Sequence, residues 1–493
     1  MNLVDLLRAS AEKHGQRPAV TDVESGRALT YDALAREAER VAAFLVAHGV
    51  EQGQRVALLA PNGLGYLPAA FGLLATGACL TPIALNLAPP EIAKVVKEID
   101  VNACLTWRGA EALPGGSARA TITEGACEGF GFQWIDRRAS APGAFGRLNP
   151  AFVRFTSGTT ADSKGVVISH EATVARVEAS DRVLAFTPED RILWVLPLAY
   201  HFAVTITAYV RAGAHVLLCP DSLPATLVRA IRQFDASVLY ASPLHFGRLG
   251  NLAPTGPLKS LRVALSTSAP ITAAVMDRFA ALYGVAVAQA YGIIEAGLPC
   301  INLPSDGLPT RSVGRPVPGY EVAAFDDAGL RLRTHSLGEV GIRGDGLFSA
   351  YYAPWRLREQ VTRDGWFLTG DIGRLDEMGA LYLEGRKKAV IFVAGVKFFP
   401  EEVEECLNQF SGVKESRVFG HAHHRLGQVP LAEIVLDSAA VDFEALKAHC
   451  ARNLAPYKVP LQITAVKEIA RTASGKILRR PTPNDLPTPS DRP

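Results

Sequence analysis

The amino-acid sequence predicts an α/β protein with a large amino-terminal domain of layered sheets and a small α+β domain after it. Three observations lead to this fold class. The chain has 493 residues, too many for one ordinary hydrophobic core. Short apolar runs such as RVALLAP and AHVLLCP alternate with helix-like runs such as LPATLVRAIRQF, as in largely parallel sheets. This alternation ends near residue 380, which indicates a second domain.

The segments after residue 380 are typical of a small α+β domain. GALYLEGRKKAVIFVAG predicts a short hairpin. FFPEEVEECLNQF predicts a helix with Pro400 near its first turn and with Val403, Leu407 and Phe410 on one face. DFEALKAHCARNL predicts a second helix, for which Asp442 is the N-cap.

These patterns predict three segments along the chain. The large domain spans residues 1–385 and the small domain spans residues 386–480, with the boundary near Gly385. Residues 481–493 contain five prolines, and we expect a disordered tail.

Two apolar stretches resemble targeting or membrane segments only superficially. The amino terminus, MNLVDLLRASAEKHG, predicts an amphipathic helix with Leu3, Leu6 and Leu7 on one face, and Asp5 argues against a signal peptide. Residues 192–210 contain no charged side chain, but proline, histidine and threonine interrupt them. A buried strand followed by a buried helix is therefore expected, and no membrane span.

Composition excludes several classes of function. Lys and Arg number 51 and Asp and Glu number 49, so the net charge of +2 does not favour nucleic acid or an anionic membrane. Seven cysteines occur without a C-x-x-C pair. This predicts reduced thiols in a cytoplasmic protein, with no zinc site and no disulfide framework.

The stretch TSGTTADSKG, residues 156–165, crowds hydroxyls and glycines around one lysine. It has two interpretations: a polar surface turn, or a loop that wraps a polyphosphate with backbone N–H groups, hydroxyls and the Lys164 ammonium. It is not a Walker loop, which ends in Gly-Lys-Ser/Thr. The chain also lacks G-x-G-x-x-G after a strand and G-x-S-x-G, which argues against a dinucleotide-binding dehydrogenase and an α/β-hydrolase.

Four further segments carry isolated charges in unusual surroundings. AYGIIEAG contains Glu295 among apolar neighbours, where an acid needs a partner. GWFLTGDIG contains Asp371 in a Thr-Gly-Asp turn, and LEGRKKAVIFVAGVKFFPEEVE contains Arg386 and Lys388 at the domain boundary. RTASGKILRR contains Lys476. Each segment alone is also compatible with an ordinary turn or a solvated lysine.

Together and in this order, the five segments resemble the adenylate-forming superfamily of acyl- and aryl-CoA synthetases, peptide-synthetase adenylation domains and firefly luciferase. The resemblance covers roughly Leu6 to Arg480. It implies layered α/β sheets with a distorted β-barrel-like part in the large domain, and a small mobile domain. It also implies that a carboxylate reacts with ATP, that pyrophosphate leaves, and that the acyl group passes to a thiol, usually that of CoA.

The resemblance also implies roles for individual residues. Lys476, Glu295 and Lys164 would be catalytic, and Glu295 would ligate Mg²⁺. Asp371 would bind the ribose hydroxyls with help from Arg386. The residues expected to bind the nucleotide are Thr156, Ser157, Gly158, Thr159, Thr160, Lys164, Tyr291, Gly292, Glu295, Asp371, Arg386 and Lys476.

The same resemblance implies an acyl pocket, a hinge and a tunnel for the thiol. The pocket would be lined by Tyr200, His201, Phe202, Ser266, Ser268, Ala269, Gln289 and Ala290. Lys388 would be the hinge at which the small domain rotates between the two half-reactions. Gly395, Val396 and Lys397 would line the pantetheine tunnel of CoA or of a phosphopantetheine carrier.

The chain departs from the family pattern at three places. Ala161-Asp162-Ser163 replaces Gly-x-Pro in the phosphate loop, Ile294 replaces the threonine before Glu295, and Ala389 replaces the acid after the hinge. These changes affect the stiffness of the phosphate loop and remove one hydroxyl. They leave all five charged residues of the predicted site in place: Lys164, Glu295, Asp371, Arg386 and Lys476.

The acid substrate is the least defined part of the prediction. Amino-acid-activating members place an Asp in the segment PLAYHFAVTITAY, which has none here, so an apolar or aromatic acid without an α-amine is favoured. His201 has two interpretations, a gate of the pocket or a packed histidine. His421, His423 and His424 could form a metal site, although a solvated turn fits them better.

Several functions remain open at this stage. The first is an acyl- or aryl-CoA synthetase of fatty or aromatic acid metabolism, which acts as a monomer or homodimer. The second is an adenylating ligase that passes the acyl group to a carrier-protein thiol or an amine. Two others are activation of a non-carboxylate oxyacid and a nucleotide-binding protein without activity, for which Ile294 and Ala161 are the argument.

Overall fold

Two nine-stranded sheets form most of the large domain in a computed structural model of the chain. The structure describes residues 2–85, 87, 89–108, 120–155, 165–219, 221–393, 396–423, 426–437, 441–471 and 477. The described helices are, in chain order, α1 (Val4–His14), α2 (Tyr31–Ala47), α3 (Tyr66–Ala75), α4 (Pro89–Glu98), α5 (His170–Leu184), α6 (Leu198–His201), α7 (Thr207–Ala212), α8 (Pro224–Gln233), α9 (Pro243–Leu249), α10 (Ala273–Tyr283), α11 (Pro400–Asn408) and α12 (Phe443–Asn453).

Short strands alternate with these helices, as the sequence predicts. The strands are β1 (Pro18–Asp22), β2 (Ala28–Thr30), β3 (Arg55–Leu59), β4 (Cys79–Ile83), β5 (Ala103–Thr106), β6 (Ala120–Thr121), β7 (Gly131–Trp134), β8 (Pro150–Phe155), β9 (Gly165–Ser169), β10 (Arg191–Trp194), β11 (His215–Leu218), β12 (Val238–Ala241), β13 (Val263–Ser266), β14 (Val287–Ile293), β15 (Gly297–Asn302), β16 (Arg315–Pro316), β17 (Tyr320–Phe325), β18 (Gly338–Gly344), β19 (Ala350–Tyr351), β20 (Arg356–Leu357), β21 (Phe367–Leu375), β22 (Leu381–Arg386), β23 (Ile391–Val393), β24 (Val396–Phe398), β25 (Val413–His423), β26 (Gly427–Leu436) and β27 (Gln462–Ala465).

Both large sheets are parallel in the middle and antiparallel at their ends. The first has the order β16-β15-β14-β13-β12-β10-β11-β1-β2, and its strands from β14 to β1 are parallel. The second has the order β20-β19-β9-β8-β4-β3-β5-β7-β6, with β8, β4, β3 and β5 parallel. Ligands of such sheets bind beyond the carboxyl ends of the parallel strands, so a site is expected there.

Side-chain alternation divides the core of the second sheet between its two faces. Val56, Leu58 and Phe152 belong to the large apolar cluster that also contains the first sheet. Ala57 and Val153 belong to a separate cluster on the opposite face. Successive side chains of a strand point to opposite faces of the sheet, so neighbouring residues of β3 and β8 belong to different clusters.

A third, four-stranded sheet completes the large domain, in the order β17-β18-β21-β22. It is open, so the expectation of a distorted β-barrel-like part is corrected within the described residues. The free edge of β22 makes a single bridge, between Leu381 and Gly314, and does not pair with β17. Closure into a barrel needs continuous pairing of the two edge strands.

The small domain has its own sheet and its own apolar core. The sheet has the order β24-β23-β26-β25, with β27 added beside β26. Helix α11 buries Val403 and Leu407 against it, and Phe410 packs at the margin of the same cluster, as its apolar face predicts. Asp442 caps α12 by accepting hydrogen bonds from two backbone N–H groups at 2.9 and 3.2 Å.

The hairpin predicted from GALYLEGRKKAVIFVAG is wrong. Strand β22 pairs with β21 in the large domain, whereas β23 pairs with β24 and β26 in the small one. The short 3₁₀ turn Lys387–Ala389 lies between them. Two adjacent apolar runs therefore belong to different sheets, one in each domain.

The structure also bears on the uncharged apolar stretch, the cysteines and the histidine-rich segment. Residues 191–212 form β10, α6, a five-residue π-helix (Phe202–Ile206) and α7, and among the described helices none has the length and hydropathy needed to cross a membrane. All seven cysteines are free and buried. His421 and His423 end β25, His424 lies outside the described residues, and no metal-binding cluster occurs in the part of the chain that the structure describes.

Candidate active site

A tight hairpin between β14 and β15 presents Glu295 at its turn. Gly292 leaves no room for a side chain, because an added Cβ would lie 2.9 Å from the carbonyl oxygen of Gly297. The half-buried Glu295 carboxylate accepts a hydrogen bond from the Tyr351 hydroxyl at 3.0 Å. Its second oxygen has no hydrogen bond among the described residues, so the carboxylate keeps capacity for a ligand.

The buried side chain of Arg176 fixes the backbone of this turn. It extends from α5 and donates to the carbonyl oxygens of Ile294 at 3.1 Å, Glu295 at 3.3 Å and Gly346 at 2.6 Å. Sequence reasoning missed this residue. The available signal was a single arginine among the small and apolar residues of HEATVARVEA, a pattern that normally indicates a core helix.

Asp371 lies on β21 as a buried carboxylate with two charged or polar partners. Gly370 before it adopts a φ of 77°, which lets the strand bend at the Thr-Gly-Asp sequence. One carboxylate oxygen lies 2.7 Å from Nε of Arg386, its cross-strand neighbour on β22. The other accepts a hydrogen bond from the Tyr291 hydroxyl at 2.5 Å. Asp371 is 5% exposed, whereas Arg386 is half exposed, so the pair spans the boundary between core and solvent.

Tyr291 joins the two acidic positions into one site. It lies on β14, four residues before Glu295, and its hydroxyl reaches Asp371 on a different sheet. Burial, together with the neighbouring Asp371 charge, raises the pKa of Tyr291 well above its usual value. The hydroxyl therefore stays protonated and donates its proton to the carboxylate. The structure thus brings together Tyr291, Gly292, Glu295, Asp371 and Arg386 of the predicted nucleotide site.

The first predicted segment of the acyl pocket follows β10. His201 packs edge-on to Trp194 and Tyr240, with ring centroids 5.6 and 5.9 Å apart. Phe202 is fully buried, and its ring centroid lies 6.1 Å from that of Phe152 on the second sheet. Tyr200 carries a hydroxyl that is buried without a hydrogen-bond partner in the described chain. This segment therefore fills the space between the two sheets.

The remaining predicted pocket residues come from the end of β13, the loop after it and the middle of β14. The buried Ser266 hydroxyl has no hydrogen-bond partner in the described part, Ser268 adopts a φ of 76°, and Ala269 is exposed. Ala290 is buried. Gln289 donates its amide to the backbone carbonyl oxygens of residues 310 and 312, at 2.6 and 3.2 Å. Its side chain therefore holds a loop in place, and this leaves its amide nitrogen little capacity for a substrate.

The proposed hinge follows a pair of anchored side chains. Arg386 is bound to Asp371, and Lys387 lies 3.0 Å from carboxylate oxygens of both Glu339 and Asp327 of the large domain. These carboxylates raise the pKa of Lys387. The chain is therefore tied to the large domain as far as residue 387, and Lys388 is the next residue.

Several predicted residues cannot be placed. Val396 and Lys397 lie on β24, but their side chains are outside the described part. The other predicted positions outside the described residues are Thr156, Ser157, Gly158, Thr159, Thr160, Lys164, Gly395 and Lys476.

Comparisons with known proteins agree with this geometry. Residues 7–352 match the AMP-binding enzyme family, and residues 402–476 match the AMP-binding enzyme C-terminal domain. A sulfoacetate–CoA ligase of Cupriavidus necator is 30% identical over 97% of this chain and 96% of its own length. The long-chain-fatty-acid–CoA ligase FadD13 of Mycobacterium tuberculosis is 29% identical over 97% of both chains. The crystal structure of ATP-bound MatB from Rhodopseudomonas palustris is 25% identical and superposes over 97% of both chains with a TM-score of 0.83.

Proposed function

The chain belongs to the AMP-binding enzyme family of adenylate-forming enzymes, and on that premise we propose that it is an ATP-dependent acid–CoA ligase. In the first half-reaction the substrate carboxylate attacks the α-phosphorus of ATP, an acyl-adenylate forms and pyrophosphate leaves. In the second, the CoA thiol attacks the acyl carbon and AMP leaves. The similarity to two CoA ligases over nearly the whole chain supports CoA as the acceptor.

The observation that carries this proposal is the buried Asp371 carboxylate held between Tyr291 and Arg386. Each carboxylate oxygen has two lone pairs, and each uses one on its protein partner. The second lone pair of each oxygen is then free for a ribose hydroxyl. Two fixed partners keep the carboxylate in one orientation, which is what positioning of a nucleotide requires.

Glu295 fits a magnesium site better than a role in proton transfer. It is one carboxylate with one hydroxyl partner, and Mg²⁺ typically takes one or two carboxylates and completes its coordination with water and phosphate oxygens. Mg²⁺ would supply neutralisation of the polyphosphate charge. Arg176 keeps the Glu295 turn in place through its backbone, so it is a positioning residue.

The remaining charges of the reaction would come from residues outside the described chain. The loop of residues 156–165 with Lys164 would hold the departing pyrophosphate, and Lys476 would stabilise the charge that develops on the α-phosphate. Lys388 would be the hinge, because the two residues before it are bound to the large domain. Rotation there would replace Lys476 with β24, whose Val396 and Lys397 would line the path of pantetheine.

The substrate class follows from the segment of residues 197–209. It contains no acid that could hold the ammonium of an amino acid, so we propose a carboxylic acid without an α-amine. Reduced, buried cysteines and the use of ATP and CoA support a cytoplasmic location.

The proposal is tested by acid-dependent formation of pyrophosphate and AMP from ATP and Mg²⁺, with and without CoA. The panel contains fatty acids, benzoates, amino acids and short acids with two anionic groups, and mass spectrometry detects the thioester. We expect catalytic turnover only with CoA, and a hydroxylamine-trappable adenylate without it. Preference for an amino acid, turnover with an amine acceptor alone, or a folded protein that releases no pyrophosphate with any acid would contradict the proposal.

A further inference from the structure

The buried arginine Arg154 stands out because neither the fold nor the proposed mechanism uses it. It is the second-last residue of β8 and is 5% exposed. Phe152 lies two positions earlier, so both side chains point to the same face of the sheet. The ring of Phe152 packs against Phe202 of the predicted acyl segment, at a centroid distance of 6.1 Å. Arg154 therefore points into the space between the two large sheets, where the acyl pocket is expected.

The guanidinium of Arg154 forms no ion pair in the described part of the chain, although the Glu295 carboxylate is near enough for its charge to raise the pKa of Arg154. No hydrogen bond to its side chain and no carboxylate within ion-pair distance is found among the residues that the structure describes. Burial, and then the nearby positive charge of Arg176, lowers the pKa of Arg154 to about 10, so it is a cation at neutral pH. A buried cation without an acceptor is costly, and a bound anion would remove this cost.

Three buried tyrosine hydroxyls near Arg154, those of Tyr66, Tyr200 and Tyr240, are also without a partner among the described residues. The hydroxyls of Tyr66 and Tyr200 make no hydrogen bond in the described chain, and both rings lie within range of the Arg154 charge. Tyr200 belongs to the acyl segment, and Tyr66 packs against Phe202 with ring centroids 6.0 Å apart. Burial raises the pKa of Tyr200 to about 12, so it remains a donor. One cation and two O–H donors are the complement of an anion with several oxygens.

Hydrogen bonds to other described residues do not account for these groups. Buried arginines elsewhere in the chain are fully engaged: Arg176 donates to three backbone carbonyl oxygens, and Arg417 is paired with Glu433 at 2.7 Å. Arg55 donates to the carbonyl oxygens of residues 99, 100 and 139. The fold therefore satisfies other buried guanidiniums, and Arg154 is different because no described acceptor lies within hydrogen-bond distance of its side chain and tyrosine hydroxyls lie near it.

We propose that Arg154, together with Tyr66 and Tyr200, binds a second anionic group on the acid substrate, besides the carboxylate that is activated. The substrate is then a short acid with two negative groups, a dicarboxylate or a sulfonated carboxylate. This inference rests on the proposed function and adds the substrate class to it. It also replaces the expectation of an apolar or aromatic acid, because an apolar group would leave all three polar groups unpaired.

The test compares acids that differ only in the second charge. Acyl-CoA formation is measured with sulfoacetate, malonate and succinate, and with propionate and butyrate as matched monoanions, for the wild type, Arg154→Met and Arg154→Lys. We expect the wild type to prefer the dianionic acids in kcat/KM. In Arg154→Met the kcat/KM for dianionic acids divided by that for monoanionic acids should fall about hundredfold, since a buried charge pair has lost one partner. Arg154→Lys should restore part of the ratio, and Tyr200→Phe should lower it less than Arg154→Met does.

The same experiment separates the other roles that Arg154 could have. A rise in KM for ATP with every acid would mean that Arg154 binds the nucleotide, and an equal loss of kcat with all acids would mean a structural role. Either result overturns the inference, as does a wild type that prefers propionate or butyrate, and in all three cases the proposed function stands. Protection of the wild type from thermal unfolding by sulfoacetate or malonate, absent in Arg154→Met, would support the anion site even without turnover. A folded wild type that neither turns over nor is protected by these acids would overturn the inference.

Discussion

Replacement of Tyr291 by phenylalanine removes one hydroxyl from the interior of the site and leaves the ring in place. The lost hydrogen bond is 2.5 Å long and ends on the carboxylate of Asp371, which is 5% exposed. Hydrogen bonds to charged groups contribute about 1.5–3 kcal/mol. Arg386 still neutralises the carboxylate, so we expect the free energy of unfolding to fall by about 2 kcal/mol, in the middle of this range.

The effect on nucleotide binding follows from the same bond. Asp371 keeps one of its two fixed partners, so its carboxylate can rotate about the remaining contact with Arg386. A loss of about 1.4 kcal/mol of positioning energy corresponds to a tenfold rise in KM for ATP. The assay is pyrophosphate release at varied ATP and saturating acid, together with denaturant unfolding of the same preparations.

A matched control lies in the same sheet. The hydroxyl of Tyr382 donates to Asp376 at 3.0 Å, on the hairpin formed by β21 and β22. Tyr382→Phe also removes a tyrosine–aspartate hydrogen bond, but this bond lies in the turn region of the hairpin, away from Asp371. We expect little change in KM for ATP with this variant. If Tyr291→Phe and Tyr382→Phe leave KM for ATP equally unchanged, Asp371 does not bind the nucleotide in the way proposed.

Three further predictions concern the metal, the domain rotation and acid stability. Glu295→Gln keeps the shape and removes the charge, so pyrophosphate release should fall about hundredfold and recover only partly with added Mg²⁺; a magnesium dependence equal to that of the wild type would show that Glu295 is structural. Lys476→Ala should abolish pyrophosphate release but spare thioester formation from a supplied acyl-adenylate. Lys388→Pro should spare pyrophosphate release and impair thioester formation, because proline fixes φ at the hinge. Equal loss of both half-reactions in both variants would exclude alternating domain positions. The buried imidazole of His170 accepts a hydrogen bond from the backbone N–H of Leu3 at 3.0 Å, and burial lowers its pKa to about 4. In the unfolded chain His170 takes up a proton near pH 6.5, whereas in the folded chain it does so only near pH 4. The contribution of neutral His170 to the free energy of unfolding is therefore complete above about pH 6.5, falls as the pH is lowered, and is lost at about pH 4. Between pH 7 and pH 5 it amounts to about 2 kcal/mol, so His170→Gln should flatten that part of the stability profile in denaturant titrations, and an unchanged slope would argue against a neutral buried imidazole.

The sequence alone was sufficient for the family and for a large amino-terminal domain followed by a small one. It also named Glu295, Asp371 and Arg386 as candidates for the nucleotide site, because each lies in a short motif and the motifs together, in their order along the chain, resemble those of the family. The cap of α12 at Asp442 was also predictable, since the capping hydrogen bonds reach only two and three residues along the chain.

What the tertiary structure decided depends on contacts between distant segments. The bond between Tyr291 and Asp371 spans 80 residues and joins two sheets, so no local periodicity encodes it. Strands β22 and β23 were paired wrongly because their true partners are chosen by the registry of whole sheets. The role of an arginine depends on what surrounds it. Arg176 donates to backbone carbonyl oxygens and holds the Glu295 turn, whereas Arg154 has no hydrogen-bond acceptor among the described residues and is the basis of the proposed anion site.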